Sequence, residues 1–211
     1  MKITDVLEDL IKERKTLKVL CEPNEHVPVP LEIDSKNRKI VQNCLRTSGW
    51  APFHFKRNVD SIAEPWRAHI IWNNKTKEIA TYLKEELKLT SKEPLLTAAC
   101  SALVLVTWLP EDLNAGREEN IQLRNEEHLA AASAMVQNFL LLLTSHRMGT
   151  YWSSGGVYKK REVLDSLGVG SGEKLLAAVF IEYPEMMHLE RLRKPGAHRD
   201  SRSEHWIREI A

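Results

Sequence analysis

The sequence predicts an α+β protein, a sheet covered by helices. Three observations carry that expectation. Strand-like and helix-like periods follow one another along the chain, with no internal repeat and no linker long enough to divide it. From about Glu118 to Met148 runs a helical pattern whose centre, Leu129 to Leu143, is apolar almost all round. Such a helix must be enclosed, by its own domain or by a partner subunit. No Gly-rich phosphate loop is present, which argues against a P-loop or a dinucleotide-binding Rossmann unit.

Each element has a local reason. Ile3, Val6, Leu7, Leu10 and Ile11 recur at helical spacing, with acids early and Lys12, Arg14 and Lys15 late, as the helix macrodipole favours. Pro23, Pro28 and Pro30 then forbid regular helix over Glu22 to Pro30. Asp34 or Ser35 is the expected cap of a second helix, which stops near Ser48-Gly49. Ala51 to Glu64 reads as loop, and Trp66 to Trp72 as a strand opened by Pro65. A polar amphipathic helix is expected from about Thr76 to Leu89, ending before Pro94. Ala102 to Leu109 is strand-like and closed by Pro110. Gly149 ends the long helix. A short strand (Thr150 to Ser154), a small helix (Arg161 to Leu167) and a strand (Leu175 to Tyr183) complete the order. The tail from Pro184 has little periodicity and is expected to pack on another surface.

Size and charge narrow the function. A chain of 211 residues, 43% hydrophobic, supports one sizeable core, so residues 1–211 are read as a single domain. A net charge of +1 points to neither nucleic acid nor an anionic membrane. Met1 to Leu20 carries no apolar secretory block, and Ala98 to Leu109 is too short to span a bilayer. Cys21, Cys44 and Cys100 form no close pair, so a reducing cytoplasm is the expected location. Cysteines and histidines show no metal-ligand spacing, and Ser153-Ser154-Gly155 is not a nucleophile elbow.

Four segments could carry chemistry. Arg14-Lys15-Thr16-Leu17-Lys18 puts three cations and a hydroxyl where the first helix ends, a set suited to phosphate, although taken alone it reads better as a solvated helix end. Trp50-Ala51-Pro52-Phe53-His54-Phe55 could line a planar ring, or simply tuck on the core. Gly149-Thr150-Tyr151-Trp152-Ser153-Ser154-Gly155-Gly156 lets backbone approach a ligand closely, although a helix stop followed by a Ser-Gly turn is common. Arg191-Leu192-Arg193-Lys194-Pro195 is a second cationic cluster, or a plain solvated run.

In this order the four segments resemble the nitroreductase family of flavoenzymes, in particular its small single-domain members. The likeness runs from Arg14-Lys15-Thr16-Leu17-Lys18 through Ala51-Pro52 and Pro65-Trp66 to a long Ala/Leu helix carrying Gln137, then Gly149, Trp152 and Arg193-Lys194-Pro195. It implies a central, mainly antiparallel sheet flanked by helices, with the long helix buried at a dimer interface. It also implies a homodimer whose tails (about 184–211) pack on the partner, with FMN in each of two interface sites. Arg14, Lys15, Thr16 and Lys18 would surround phosphate and ribityl chain, with Arg191 or Arg193 adding charge. Trp50, Pro52 and His54 would contact flavin, and Trp152, Ser153, Ser154 and Gly155 would meet the ring edge. Trp50 stands where small members usually have Arg, Glu64 replaces a usual Gln, and the loop from Pro52 to Pro65 is longer than usual.

The activity so implied is NAD(P)H oxidation with reduction of a nitroaromatic or quinone by ping-pong hydride transfer, in which no side chain acts as acid or base. The alternatives are a flavin-binding protein without turnover, or a specialised reductase or dehalogenase of the same family.

Overall fold

A computed structural model of the chain describes residues 3–112, 118–198, 201–203 and 205–210. Helix α1 (Ile3–Glu13) leads into a short strand, β1 (Leu17–Leu20), and then helix α2 (Leu31–Ser48). Strand β2 (Trp66–Trp72) runs straight into α3 (Asn73–Thr81), which ends in a π turn at Tyr82–Glu86. Helix α4 (Glu93–Ala99) precedes β3 (Ala102–Trp108), and α5 (Glu118–Ser145) precedes β4 (Gly149–Ser153). Helix α6 (Arg161–Ser166), β5 (Lys174–Glu182) and β6 (Leu192–Pro195) complete the order.

The main sheet has the order β2-β3-β5-β4, every neighbour antiparallel. A separate two-stranded ribbon pairs β1 with β6. Both faces of the main sheet are covered, which is why β3 reads as an uninterrupted apolar run rather than an alternating one. Ala102, Val104 and Val106, with Ala177, Val179 and Ile181, pack under α2 and α5. Leu103 and Leu105, with Ala178, Phe180 and Tyr151, pack under α3, α4 and α6.

The α+β class and the antiparallel sheet agree with expectation. Several local features differ. Helix α2 begins at Leu31 behind Pro30, one turn earlier than Asp34. Asp34 therefore lies inside the helix, where it holds Arg38 at 2.7 Å instead of capping. Helix α4 was not anticipated because Pro94 read as a breaker; Pro94 sits in the first turn, where its missing N–H leaves nothing unsatisfied. The segment after α1 forms a strand because the tail supplies its partner. That pairing also corrects the reading of the tail. Met186 is buried in the α5-side core and β6 pairs with β1 of the same chain, so the stretch to Pro195 packs within its own subunit. Farther on, Trp206, Ile207 and Ile210 are exposed.

Helix α5 buries one row, Ala132, Met135, Val136, Phe139, Leu140 and Leu143. Its other row, including Leu129, Ala130 and Gln137, is open. Asn120–Ser145 is long and apolar enough to meet a composition test for a membrane span, as core helices do, and its buried row packs on the sheet. Helix α1 buries no residue.

Candidate functional site

The first group of candidate residues gathers along β1 and β4. The chain leaves α1 at Arg14, and Thr16 makes a parallel bridge to Thr150. The pleat of β1 turns Leu17 and Val19 toward Ala80, Ala98 and Ala99 and sends Lys18 the other way. The Lys18 ammonium lies 5.2 Å from the centroid of the Tyr151 ring. Lys92, the residue before α4, reaches the same ring at 5.4 Å. Lys194 is the direct cross-strand partner of Lys18. Like charges so placed repel. Among the described residues no carboxylate pairs with Lys15, Lys18, Lys92 or Lys194. A Cβ on Gly196 would stand 3.0 Å from Thr16 Cβ, so glycine lets the tail close on this hydroxyl. Ammonium groups and a hydroxyl without an interposed carboxylate suit a phosphate monoester.

The tail arginines do something else. Arg191 donates from Nη1 to the Ala99 carbonyl at 2.7 Å. Arg193 forks onto Glu182, at 2.6 Å and 3.2 Å, and reaches the Leu189 carbonyl with its remaining nitrogen. The Glu182 side chain is 1% exposed, so this fork neutralises a buried charge. The expectation of Arg191 or Arg193 beside a phosphate is corrected by strand alternation: Arg193 faces inward with Val19, and Lys194 faces outward with Lys18. Lys92 was missed by sequence reasoning because no motif surrounds it; only the fold brings it onto Tyr151.

The same alternation divides β4. Tyr151 belongs to the α4-side core, whereas Trp152 packs toward α5. Ser153 turns back, and its Oγ accepts the Gly155 N–H at 3.2 Å. Ser154 is exposed. Gly155 has φ 108°, and a Cβ there would come within 2.2 Å of Leu175 Cδ2. Trp152 therefore offers this edge its backbone, not its ring.

The second group lies on the other side of the sheet. Trp50 follows α2 and is 89% exposed. Pro52, Phe53 and His54 form one wall of an open cleft of about 420 Å³, and Glu127, Ala130 and Ala134 of α5 help form the other. One Glu127 carboxylate oxygen is buried there without a hydrogen-bond partner, a feature sequence reasoning did not find. Within one chain the structure does not bring Trp50, Pro52 and His54 to Thr16 and Lys18, because the sheet stands between them.

The long loop beside this cleft is held by its own charges. Arg57 donates to the carbonyls of Leu109 and Pro110, each at 2.8 Å, and its backbone N–H to Ala63 at 2.8 Å. Next to it, Glu111 accepts from Arg124 at 3.0 Å and meets His128 Nε2 at 3.1 Å. Phe55 lies against both, edge-on to His128 and 4.7 Å beneath the Arg124 guanidinium. Burial alone would raise the Glu111 carboxyl; the bonds from His128 and Arg124, with Arg57 nearby, outweigh it and hold the group below its ordinary range. His128 is 1% exposed, and burial pushes it below its ordinary value against the pull of Glu111.

The family model described as "Nitroreductase family" matches residues 35–181. The Bacillus subtilis (strain 168) protein named "Putative NAD(P)H nitroreductase YfhC" is 25% identical over 190 residues, 85% of each chain. A nitroreductase-like protein from Streptococcus mutans shares the fold at TM-score 0.61, with 15% identity over all of both chains. A nitroreductase with bound FMN from Bacteroides fragilis does so at TM-score 0.58, with 17% identity over 97% of this chain and 98% of that one.

Proposed function

The chain belongs to the nitroreductase family, and from that premise we propose that it is an FMN-dependent NAD(P)H oxidoreductase acting on nitroaromatic or quinone-type acceptors. The observation that carries this reading is the set of uncompensated cations on Tyr151: Lys18 and Lys92 over one ring, with Lys194 directly opposite Lys18. Such a set is poorly placed unless an anion sits among its members. FMN, when bound, would supply the two-electron chemistry, taking hydride from NAD(P)H and passing it to the acceptor in a ping-pong cycle.

The chain's own residues bind and orient. Lys18, Lys92 and Lys194, with the Thr16 hydroxyl and the neighbouring Arg14 and Lys15, would hold the phosphate end. The Ser153–Gly155 backbone would meet the ring edge, its turn pinned by the Gly155-to-Ser153 hydrogen bond. Hydride transfer needs no proton from a side chain, so no residue is assigned as acid or base.

Trp50, Pro52 and His54 would complete the site of a second copy. A homodimer with two shared sites accounts for a half-site on each side of the sheet. It also accounts for exposed apolar residues on α1, the open row of α5 and the tail, among them Ile3, Leu129 and Trp206. Three free, buried cysteines agree with a cytoplasmic location.

The test is the visible spectrum of the purified protein, followed by anaerobic addition of each nicotinamide nucleotide and then an acceptor. Flavin bands that bleach with nucleotide and return with a quinone or nitroaromatic are expected. A protein that stays colourless after incubation with FMN overturns the reading. One that holds FMN but is reduced by neither nucleotide is a flavin binder without turnover.

A further inference from the structure

A second cavity, of about 460 Å³, opens where β3 ends and β5 begins, between Trp108, Leu175, Lys174 and the residues around Lys159. Its charges are unevenly committed. Arg161 is tied down by Asp165 at 2.7 Å and by the carbonyls of Val169 and Gly170. Glu173 is also spent: one oxygen meets Thr107 and His69, and the other accepts the Gly170 N–H at 3.2 Å. Lys159 and Lys174 have no carboxylate partner among the described residues. The Lys174 ammonium lies 5.9 Å from the centroid of the Trp108 ring. Two free ammonium groups, a fixed guanidinium and an aromatic face are complementary to a ligand that joins a flat heterocycle to phosphates.

The cavity also shares a wall with the site already described. Gly155 packs against Leu175 and against the Lys159 stem, whose Cγ would be 3.5 Å from a Cβ at that position. Along β4 the order is therefore the cation set at Tyr151, the ring-edge turn at Ser153–Gly155, and then this cavity. A ligand whose reactive ring sits at the turn would lay its far end here.

We propose that the Lys159–Lys174–Trp108 cavity binds the phosphate-bearing adenosine end of the nicotinamide nucleotide. This rests on the oxidoreductase reading given above. The lysines take phosphate oxygens, Trp108 takes a face of the adenine, and Arg161 keeps the wall in place through its backbone bonds. Either the 2′-phosphate of NADPH or the diphosphate common to both nucleotides has the required charge.

The experiment uses the full-length, FMN-loaded protein. Calorimetric titration with 2′,5′-ADP and, separately, 5′-ADP identifies which phosphate is held. Lys159→Ala and Lys174→Ala are expected to weaken the tighter of the two about tenfold each. The kinetic readout is the ratio of kcat/KM for NADPH or NADH to kcat/KM for 1-benzyl-1,4-dihydronicotinamide, which has neither phosphate nor adenine. Both variants should lower that ratio about tenfold. Lys75→Ala, at an exposed pair with Glu78 on α3, should leave it unchanged. No binding of either ADP, or an unchanged ratio in both lysine variants, overturns the proposal. Loss of the flavin reading looks different: the protein would hold no FMN whatever the cavity binds.

Discussion

Lys18 and Lys194 stand directly opposite each other across the β1–β6 ribbon, two ammonium groups with no carboxylate between them among the described residues. The pair is unfavourable in the empty protein and favourable around an anion, so one substitution should have opposite effects in the two states. Lys194→Gln is expected to raise the Tm of flavin-free protein slightly and to lower that of the FMN-loaded protein. FMN affinity should fall about tenfold, the usual scale for one charge-assisted contact. Thermal melts with and without FMN check this. A variant that shifts both states in the same direction would place the pair outside the phosphate site.

Arg193 and Glu182 form the opposite case, a pair the fold cannot lose. Glu182 is 1% exposed at the side chain and Arg193 24%, so Arg193→Ala strands a buried carboxylate. The expected cost is about 3 kcal/mol, the low end for breaking a buried pair, because Arg193 keeps some water contact. For a chain of this size that corresponds to a fall in Tm of roughly 6–12 °C. Equilibrium unfolding of the flavin-free protein tests it, since a residue serving only phosphate would leave that state unmoved.

Burial of His128, only partly offset by Glu111, makes stability depend on pH. His128 titrates below its ordinary value of 6.5 in the folded chain, so the unfolded chain takes up the proton first. Its contribution is complete above about pH 6.5 and is lost as pH falls through the folded value. Glu111 is also held low, and its contribution fades only below its ordinary value of 4.5. The Tm should therefore fall between about pH 7 and pH 5, and His128→Gln should flatten part of that slope. The remainder belongs in part to His26, which burial pushes in the same direction.

Trp50 has almost no protein around it in one chain, and the proposed homodimer is what would cover it. Trp50→Glu is expected to leave subunit folding intact, because the side chain is 89% exposed. Dimer content by sedimentation and FMN occupancy by absorbance should fall together. A variant that stays dimeric with full flavin content removes Trp50 from the shared site.

Much of the fold was legible from local pattern. The apolar run Ala102 to Leu109, the long Ala/Leu helix and the order of the four main-sheet strands follow from periods that each segment carries alone. The helix stop does not: α5 ends at Ser145, Arg147 takes a left-handed φ of 58°, and Gly149 opens β4 instead. Helix α4 escaped because Pro94 carries the same letter at a helix start as at a helix end. Strand β1 escaped because its four residues are a strand only when β6 lies beside them.

The candidate site divides in the same way. By itself the sequence determined which chemical groups were available: cations after α1, a Gly-Ser turn after α5, an aromatic loop after α2, and a basic tail. Tertiary structure alone decided which of them meet. The β1–β6 register places Lys194, not Arg193, beside Lys18; the Tyr151 ring recruits Lys92; the main sheet keeps Trp50 and His54 away from Thr16. The reason is that a strand reverses its facing at every residue, so one step of register exchanges inside for outside. That register is set by contacts between segments more than a hundred residues apart, which no local period records.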